Sequence, residues 1–549
     1  MSSCCDQCQV GGGATPWCET RLCVPLTGNT CEEMADQIEA ARQVGADMIE
    51  LRLDYLQAWD ADSIRSLMRK ACLFGGEVIA TCRLAAEGGH WDSDEATRVS
   101  LLKLAGLSGA DFIDVEYQAW RASPNLRQKI GLVCEVNTDT LRPRRKLILS
   151  RHDCQCTPAN LDAIFAELKG EPCHVVKLAC QAQTITDALR MLEALRKTAA
   201  TRHVIALAMG EAGVITRVLA RKFGALLSFA ALEVSKESAP GQLTVSQMRS
   251  LYRWDALNAD TRVYGVIGCP VAHSMSPAIL NASFDAAGYN GVYLPMRVEA
   301  AYEAFAAFVD GCLTRPWLGL SGCSVTIPHK QNLLGYVESR GGEVEPLARR
   351  IGAANTLCVQ PGRREDGSDT RVAAYNTDYQ GALDALCAGG GCDRDGLRDC
   401  SIAVLGAGGA SRAIVAGLRD CGCPVTIYNR TGDKARALAD EFDATAAAWA
   451  DRSQTNADVI INCTSIGMWP NVEDTPLPDP RLSDRQVVFD TVYNPIETRL
   501  LREARQLGCR TIEGIEMFVN QAAAQFKYWT GQPAPTGVIR EVLLRELSR

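Results

Sequence analysis

One lysine interrupts an otherwise apolar run in the first half of the sequence, where Lys177 lies within Val175–Ala179. The run predicts a buried strand, and burial disfavours the charged form of a lysine side chain. A neutral amine is a nucleophile that forms a Schiff base with a ketone. The segment therefore indicates covalent chemistry on a small carbonyl compound.

Further ionisable residues follow neighbouring apolar runs. Glu50, Arg52 and Asp54 alternate along one of them, which places them on one face of a strand. His152 follows another run, and a histidine, which titrates near neutral pH, can remove a proton beside an imine and then protonate a departing hydroxyl. The other residues of interest near the ends of such runs are Arg83, Glu87, Met209 and Arg217.

These residues admit two interpretations. A single strand-end lysine or histidine is often structural, and Glu50, Arg52 and Asp54 could form an ion-paired rim. Their joint occurrence at successive strand ends instead favours a Schiff-base lyase or aldolase. In such an enzyme, arginines would hold the carboxylate of a small anionic ketone.

Eight short apolar runs recur roughly every 25 to 35 residues, with amphipathic helical stretches between them. This alternation is typical of a (β/α)8 TIM barrel, whose reactive residues lie at the C-terminal ends of the strands. The runs are Leu22–Leu26, Asp47–Leu51, Val78–Cys82, Phe112–Val115, Lys146–Ser150, Val175–Leu178, Val204–Ala208 and Leu226–Phe229.

A glycine-rich turn in the second half lies between a predicted strand, Ser401–Leu405, and a predicted helix. Such a turn lets the backbone approach a pyrophosphate at the N-terminus of the helix, although Ser411 stands where the third fingerprint glycine is usual. The turn predicts a Rossmann-type dinucleotide-binding domain. Its residues are Gly406, Ala407, Gly408, Gly409 and Ala410.

The residues after the next predicted strand, Val425–Tyr428, bear on the choice of cofactor. An NAD enzyme usually has an acidic residue at this point. This sequence instead has Asn429, Arg430 and Thr431 there, and Lys434 follows shortly after. Cations and hydrogen-bond donors suit the 2′-phosphate of NADP, so NADP is the expected cofactor.

Residues in the second half that precede the glycine-rich turn could bind and reduce a carbonyl compound. Ser274 and Ser276 are two positions apart, so both hydroxyls can point at one carboxylate. Lys330, held near Asp378, could donate a proton to a carbonyl oxygen that a hydride reduces. Taken singly, Lys330 or Asp378 could equally be an ordinary surface charge.

The barrel pattern ends near Ser238–Gln242, a helical stretch is predicted over Val245–Trp254, and a new strand begins at Arg262–Gly268. The predicted fold is α/β, with an N-terminal barrel followed by a two-lobed dehydrogenase. The expected domains are a barrel over 21–257, a substrate-binding domain over 258–380, an NADP-binding domain over 381–515 and C-terminal helices over 516–549 that return to the substrate domain.

Composition narrows the class of protein further. With 549 residues the chain is too long for one ordinary core, and its net charge of −8 argues against a nucleic-acid surface but leaves small anionic substrates open. No apolar run is long enough to cross a bilayer, so no membrane partner is expected.

The 24 cysteines are scattered, which predicts reduced thiols in a reducing compartment. That compartment would be the cytoplasm for the sequence as it stands, or the plastid stroma if a transit peptide has been removed. Cys4, Cys5 and Cys8 could suggest a metal site, but no second ligand pair follows at zinc-finger spacing. A disordered tail is therefore favoured there, and no metal is expected.

The first half resembles type I 3-dehydroquinate dehydratase over residues 21 to about 245. The resemblance rests on ELRLD, the Arg83–Glu87 segment, SRHD, VVKLA, MGEAGVITR and SAPGQ. It implies that Lys177 forms the Schiff base and that His152 is the general acid and base. Ser238 and Ala239 would lie in a closing loop, and Met209 would line the pocket. The substrate-binding residues would be Glu50, Arg52, Arg83, Arg217, Ser238 and Gln242.

The second half resembles shikimate dehydrogenase from about residue 262 onward, through HSMSP, SVTIPHK, IGAANT, YNTDY, GAGGASRA, NRT, NCTSIGM, FDTVYNP and GIEMFVNQA. Lys330 and Asp378 would be the catalytic pair. The carboxylate would be bound by Ser274, Ser276 and Tyr493, the ring hydroxyls by Thr326, Asn355 and Gln521, and the NADP phosphate by Arg430, Thr431 and Lys434. Leu280 and Ser324 depart from the residues common in this family, His and Asn, and could adjust substrate choice.

The order of the two halves resembles the plant-type bifunctional enzymes of aromatic amino acid biosynthesis. It implies Schiff-base dehydration of 3-dehydroquinate to 3-dehydroshikimate and then NADPH-dependent reduction to shikimate, by a monomer or a dimer. One alternative is a quinate dehydrogenase in the second half, which retention of Ser276 and Thr326 disfavours. Another is a non-catalytic scaffold, which is disfavoured by the retention of Lys177, His152, Lys330 and Asp378.

Overall fold

The computed structural model of the chain describes residues 19–134, 145–234, 238–360, 370–478 and 481–548. Cys4, Cys5 and Cys8, which raised the question of a metal site, lie outside the described residues. The chain divides into two compact units. The first runs to Thr261 and includes Met296–Val298, and the second comprises Arg262–Pro295 and the chain from Glu299 onward.

Eight parallel strands form the sheet of the first unit, and each predicted apolar run coincides with one of them. They are β1 Arg21–Leu26, β2 Met48–Arg52, β3 Glu77–Thr81, β4 Phe112–Glu116, β5 Lys146–Asp153, β6 Val175–Gln181, β7 His203–Met209 and β8 Leu227–Phe229. Neighbours follow the order β7-β6-β5-β4-β3-β2-β1-β8. The amide of Leu226 donates to the carbonyl of Val204 at 2.8 Å, which joins the two edges. The predicted (β/α)8 barrel is confirmed.

Helices connect these strands in regular alternation. They are α1 Cys31–Gln43, α2 Ala61–Cys72, α3 Glu95–Leu107, α4 Tyr117–Ala122, α5 Pro124–Val133, α6 Leu161–Lys169, α7 Ile185–Ala199 and α8 Val214–Val218. The stretch predicted to be helical over Val245–Trp254 is not a regular α-helix. It contains a π-helical turn at Gln247–Leu251 and a 3₁₀ turn at Trp254–Ala256, and Tyr252 donates to the carbonyl of Gln247, five residues back.

The barrel interior consists of an apolar layer beneath a polar one. The apolar layer includes Met48, Ile79, Phe112, Ile148, Val175, Ile205 and Leu227. Alternate residues of a strand share a face, so the positions two residues further along form the next layer. These are Glu50, Thr81, Asp114, Ser150, Lys177, Leu207 and Phe229. The strand period therefore brings distant polar residues to one level at the C-terminal end of the barrel.

The first sheet of the second unit is mixed. Its strands are β9 Arg262–Gly268, β10 Gly291–Arg297, β11 Leu320–Val325, β12 Glu343–Val344, β13 Thr356–Gln360 and β14 Arg371–Tyr375, in the order β10-β9-β11-β13-β14-β12. Strands β9 and β11 are parallel, whereas β13 runs antiparallel to β11 and to β14.

The second sheet of this unit is wholly parallel. Its strands are β15 Ile402–Leu405, β16 Val425–Asn429, β17 Thr445–Ala448, β18 Val459–Asn462, β19 Val487–Asp490 and β20 Arg510–Ile512. They follow the order β17-β16-β15-β18-β19-β20. Numbered within the sheet, this is the order 3-2-1-4-5-6 of dinucleotide-binding folds, whose ligand lies where the order reverses, beside the first strand. The predicted Rossmann-type domain is confirmed.

The helices of the second unit complete its two lobes. They are α9 Ser276–Ala286, α10 Tyr302–Leu313, α11 Lys330–Ser339, α12 Pro346–Ile351, α13 Thr377–Gly390, α14 Gly409–Asp420, α15 Gly432–Phe442, α16 Arg499–Gln506, α17 Gly514–Thr530 and α18 Thr536–Leu547. Helix α17 packs its apolar face into the core beside the mixed sheet, where Phe526 meets Phe284. None of the described helices is long and apolar enough to span a membrane.

A glycine sets the close approach of α13 to α17. A side chain at Gly381 would put its Cβ 2.7 Å from the carbonyl oxygen of Met517 and 2.8 Å from the amide nitrogen of Gln521. Contacts that short with backbone atoms are not tolerated without movement of one helix. Gly381 thus brings the helix that carries Asp378 against the one that carries Gln521.

Candidate active sites

Lys177 lies in the polar layer of the barrel and is almost fully buried, with 4% of its surface exposed. Its Nζ is 2.8 Å from Oδ2 of Asp114 and 3.5 Å from Oε1 of Glu50, and it stands 4.7 Å from the centre of the Phe229 ring. The strand is apolar, as the sequence indicated, but the amine itself contacts carboxylates.

Asp114 and Glu116 are site residues that the sequence analysis missed. Arg83 pairs with both, at 2.8 Å to Asp114 and 2.9 Å to Glu116. Burial alone would raise the pKa of Asp114, but the nearby charges of Arg83 and Lys177 outweigh it and hold this pKa below its usual range. The sequence of β4 does contain a pattern that could have indicated these two residues. Asp114 and Glu116 alternate with apolar residues there, just as Glu50 and Arg52 do in β2.

His152 and Glu87 form the second part of this site. Nδ1 of His152 lies 3.0 Å from Oε2 of Glu87, which also accepts the His152 backbone amide at 2.9 Å. Burial, with the charges of Arg83 and Lys177, lowers the pKa of His152 well below its ordinary value. Burial raises the pKa of Glu87 to about 7. Their contact near neutral pH is therefore a hydrogen bond to an uncharged imidazole.

The remaining residues predicted for this site line the same pocket. Arg52 is held by Asp54 at 2.7 Å, and Arg217 donates to the carbonyl of Pro240 at 3.3 Å. The Oε1 atom of Gln242 accepts the Ser238 amide at 2.8 Å. The pocket brings together Glu50, Arg52, Arg83, His152, Lys177, Met209, Arg217, Ser238, Ala239 and Gln242. It can hold an anionic ketone against a primary amine with an acid–base group beside it.

Lys330 and Asp378 form a close pair in the second unit, with Nζ 2.6 Å from Oδ2. Lys330 begins α11, and Asp378 lies in the first turn of α13, where the amide of Asp378 donates to the Asn376 side chain. Asn355 donates its amide to the other oxygen of Asp378 at 2.8 Å, while its own oxygen accepts the amide of Thr377. The carboxylate is therefore held from both sides, with one oxygen on the lysine.

The predicted substrate residues lie around this pair. One pocket is lined by Ser274, Ser276, Thr326, Lys330, Asn355, Asp378, Tyr493 and Gln521. Ser324 also lines it, and its hydroxyl accepts from Tyr293 at 2.6 Å and donates to Gln525 at 2.7 Å. Gln525 is a lining residue that the sequence analysis missed. Leu280, the other departure from the family pattern, is buried in the hydrophobic core.

The predicted cofactor turn connects β15 to α14. Gly406 has a φ of +112°, which favours glycine, and a Cβ there would lie 3.0 Å from the Ser411 hydroxyl. Apart from neighbouring residues of the turn and helix, no atom of the described residues lies within 4 Å of the Cβ positions of Gly408 and Gly409, so open space faces the start of α14, next to Ala407 and Ala410. The turn is shaped to admit a phosphate against backbone amides.

The predicted phosphate-binding residues Arg430 and Thr431 lie between β16 and α15, and Lys434 lies in the first turn of α15. The Asn429 side chain donates to the carbonyl of Thr431 at 2.9 Å, which fixes this loop. Arg430 and Lys434 are exposed, and neither pairs with an acidic group among the described residues. Their positive charges are therefore available to a dianionic group.

Models of known protein families match successive parts of the chain. The type I 3-dehydroquinase model covers residues 22–259. The shikimate dehydrogenase substrate binding domain covers 266–357, the shikimate / quinate 5-dehydrogenase model 393–469 and the shikimate 5′-dehydrogenase C-terminal domain 514–544.

Individual proteins show the same division. The shikimate dehydrogenase (NADP(+)) of Moorella thermoacetica is 40% identical and matches 52% of this chain and 94% of its own. A crystal structure of shikimate 5-dehydrogenase from Thermus thermophilus, in complex with NADP(H) and shikimate, is 32% identical, covers 52% of this chain and 99% of that chain, and has a TM-score of 0.44.

One relative spans both halves. The chloroplastic bifunctional 3-dehydroquinate dehydratase/shikimate dehydrogenase of Arabidopsis thaliana is 36% identical over 95% of this chain and 84% of its own length. Similarity of that extent covers the barrel with its buried lysine as well as the two-lobed unit with its lysine–aspartate pair. The chain therefore belongs to the family of bifunctional enzymes that join a type I 3-dehydroquinate dehydratase to a shikimate dehydrogenase.

Proposed function

We propose that this chain converts 3-dehydroquinate to 3-dehydroshikimate in its first unit and reduces that product to shikimate in its second. The observation that carries the proposal is that each unit brings its own reactive groups into one pocket. Lys177 and His152 meet in the barrel, and Lys330 and Asp378 meet in the two-lobed unit. The product of the first reaction is the substrate of the second.

The dehydration begins when the Lys177 amine attacks the ketone carbon of the substrate, and loss of water gives an iminium. His152 removes the proton from the adjacent carbon and then protonates the hydroxyl that departs as water. A second water hydrolyses the iminium, which releases 3-dehydroshikimate and the free amine. Glu87, once ionised, accepts the Nδ1 proton and stabilises the imidazolium form of His152.

The arginines of the pocket are proposed to hold the substrate. Arg217, with Ser238 and Gln242 beside it, suits the carboxylate, because a guanidinium can bind one in bidentate fashion. Glu50, Arg52 and Arg83 are proposed to bind the hydroxyls.

The second unit has the features that NADPH needs. The open turn at Gly408 can receive the pyrophosphate, and Arg430, Thr431 and Lys434 can hold the 2′-phosphate. Bound NADPH supplies the hydride for the reduction. The chain itself provides the proton, which Lys330 donates to the carbonyl oxygen while Asp378 holds the amine in place.

Side chains around this pair are proposed to orient the substrate. Ser274, Ser276 and Tyr493 suit its carboxylate, and Thr326, Asn355 and Gln521 suit its ring hydroxyls. We further propose that the chain acts as a monomer, with a dimer as the alternative, in a reducing compartment, either the cytoplasm or the plastid stroma. The described cysteines are free thiols, which supports a reducing environment.

Replacement of the Schiff-base lysine tests the first half of the proposal. Lys177→Ala should abolish dehydration, because Lys177 carries the only amine among the described residues that line the pocket, and should leave NADPH-dependent reduction of 3-dehydroshikimate intact. Borohydride added with substrate should attach a substrate-derived mass to the Lys177 peptide of the wild type. Lys146→Ala is the matched control, since Lys146 starts β5 and pairs with Glu77 at 3.2 Å. Full dehydratase activity in Lys177→Ala would contradict the assignment.

The Glu87 carboxyl should give the dehydratase a pH dependence. Its pKa of about 7 means that it ionises as the pH rises through neutrality, and only the ionised form accepts the His152 Nδ1 proton without loss of its own. The kcat/KM of dehydration should therefore rise with pH through about 7. In Glu87→Gln this limb should disappear and the plateau should fall. An unchanged limb in the variant would assign the titration to another group.

The proton donor of the reduction can be identified from steady-state constants. Lys330→Ala should lower kcat for 3-dehydroshikimate by about 10²- to 10⁴-fold, the usual contribution of general acid catalysis, with a smaller rise in KM. Lys527→Ala, which alters an exposed lysine of α17, should leave both constants unchanged. If Lys330→Ala kept its kcat and only KM rose, Lys330 would be a binding residue.

Arg430 should set the preference for NADP. A charge-assisted contact with phosphate contributes about 1.5–3 kcal/mol, so Arg430→Ala should raise the KM for NADPH by about 10- to 100-fold and change that for NADH little. Arg436→Ala provides the control, because Arg436 lies on α15, the helix that follows the Arg430 loop, but pairs with Asp433. Equal use of NADH and NADPH by the wild type would overturn the assignment.

A further inference from the structure

Arg98 is a fully buried arginine of α3 that does not line the dehydratase pocket. Its Nη1 donates to Oε2 of Glu116 at 2.6 Å and to the carbonyl of Cys82 at 3.0 Å, and its other nitrogens bind Glu95 at 2.7 and 2.9 Å. A guanidinium with no exposed surface is retained only where carboxylates neutralise it.

Glu116 lies between two arginines. Its Oε2 accepts from Arg98, and its Oε1 accepts from Nη1 of Arg83 at 2.9 Å and from the amide of Leu84 at 3.1 Å. Arg83 therefore shares Glu116 with Arg98.

Arg83 continues this pattern toward the reactive lysine. Its Nη2 is 2.8 Å from Oδ1 of Asp114, and Oδ2 of Asp114 is 2.8 Å from Nζ of Lys177. Ser150 supports the same link, because its hydroxyl donates to Asp114 at 2.6 Å and accepts from Arg83 at 2.8 Å. The result is a chain of alternating charges, Arg98–Glu116–Arg83–Asp114–Lys177, which we name the charge chain.

We propose that Arg98 is a positioning residue of the dehydratase that acts on Lys177 through the charge chain. The inference rests on the proposed function of Lys177. Without Arg98, the buried Glu116 carboxylate has Arg83 as its remaining cation and draws Arg83 toward it. Asp114 then loses part of its contact with Arg83 and is neutralised mainly by Lys177. A carboxylate that has lost its other cation draws the Lys177 amine toward itself and away from the position in which it attacks the ketone.

The test is Arg98→Met, which replaces the guanidinium with an uncharged side chain. Misplacement of a catalytic group by about 1 Å can cost roughly 100-fold in rate, so kcat for dehydration should fall about 10- to 100-fold. The rate of borohydride trapping on Lys177 should fall by a similar factor, with a smaller change in KM. NADPH-dependent reduction, measured on the same preparation, should match the wild type. Arg202→Met is the control, since Arg202 donates to the carbonyls of Cys173 and Lys169, both at 3.1 Å.

A second variant separates positioning from packing. The double variant, Arg98→Met with Glu116→Gln, also lacks the carboxylate that Arg98 neutralises. Its kcat for dehydration should therefore be about tenfold higher than that of Arg98→Met. Arg98→Lys, which keeps the charge but not the fork of donors, should lie between Arg98→Met and the wild type. If Arg98→Met fails to fold, a reduced dehydratase kcat in Arg98→Lys with intact reductase activity supports the proposal.

Three results would overturn this inference. They are wild-type kcat and trapping in Arg98→Met, a double variant as impaired as the single one, and a wild-type kcat in Arg98→Lys where Arg98→Met does not fold. Failure of the wild type to trap substrate on Lys177 is a different outcome, because it would remove the proposed function on which the inference rests.

Discussion

Charges buried at the mouth of the barrel must neutralise one another, because little water reaches them to do so. Lys177, Arg83, Asp114 and Glu116 are each at most 4% exposed. An unpaired charge at such depth is strongly destabilising, whereas alternating charges at hydrogen-bond distance satisfy one another. The geometry of the reactive amine is therefore set jointly by several strands.

The same buried charges also shift the pKa values of Asp114 and His152 in the barrel. The cations that hold Asp114 ionised are the same ones that disfavour a charged His152. His152 is therefore held uncharged, and in the proposed mechanism Glu87 balances the proton that His152 takes up. Asp114 and Glu87 thus have opposite pKa shifts, because Asp114 faces cations and Glu87 is mainly desolvated.

In the second unit, the carboxylate of Asp378 is likewise held by neighbouring groups. Asp378 lies in the first turn of α13, where the helix dipole favours a carboxylate, and Asn355 and Lys330 take one oxygen each. Close packing of α13 on α17 at Gly381 then brings Gln521 to the same pocket.

Much of this could be predicted from sequence because it depends on local pattern. Strand periodicity identified the barrel strands, residue type with spacing indicated Lys177 and His152 as candidates, and the family resemblance indicated Lys330. Contacts between distant segments were not predictable in the same way. Ser324 meets Gln525 across 201 positions, and Arg98 reaches Glu116 from a helix whose pattern gives no sign of it. Asp114 and Glu116 did carry a signal, an alternation inside β4 that is visible without coordinates.

The proposed function requires that one chain carry out both reactions in succession. Product formation from 3-dehydroquinate can be followed with the purified protein, first without and then with NADPH. We expect 3-dehydroshikimate to accumulate in the absence of NADPH and shikimate to form when NADPH is added, with one NADPH consumed for each shikimate. Absence of 3-dehydroshikimate in the first stage, or consumption of NADPH without shikimate in the second, would contradict the proposed function.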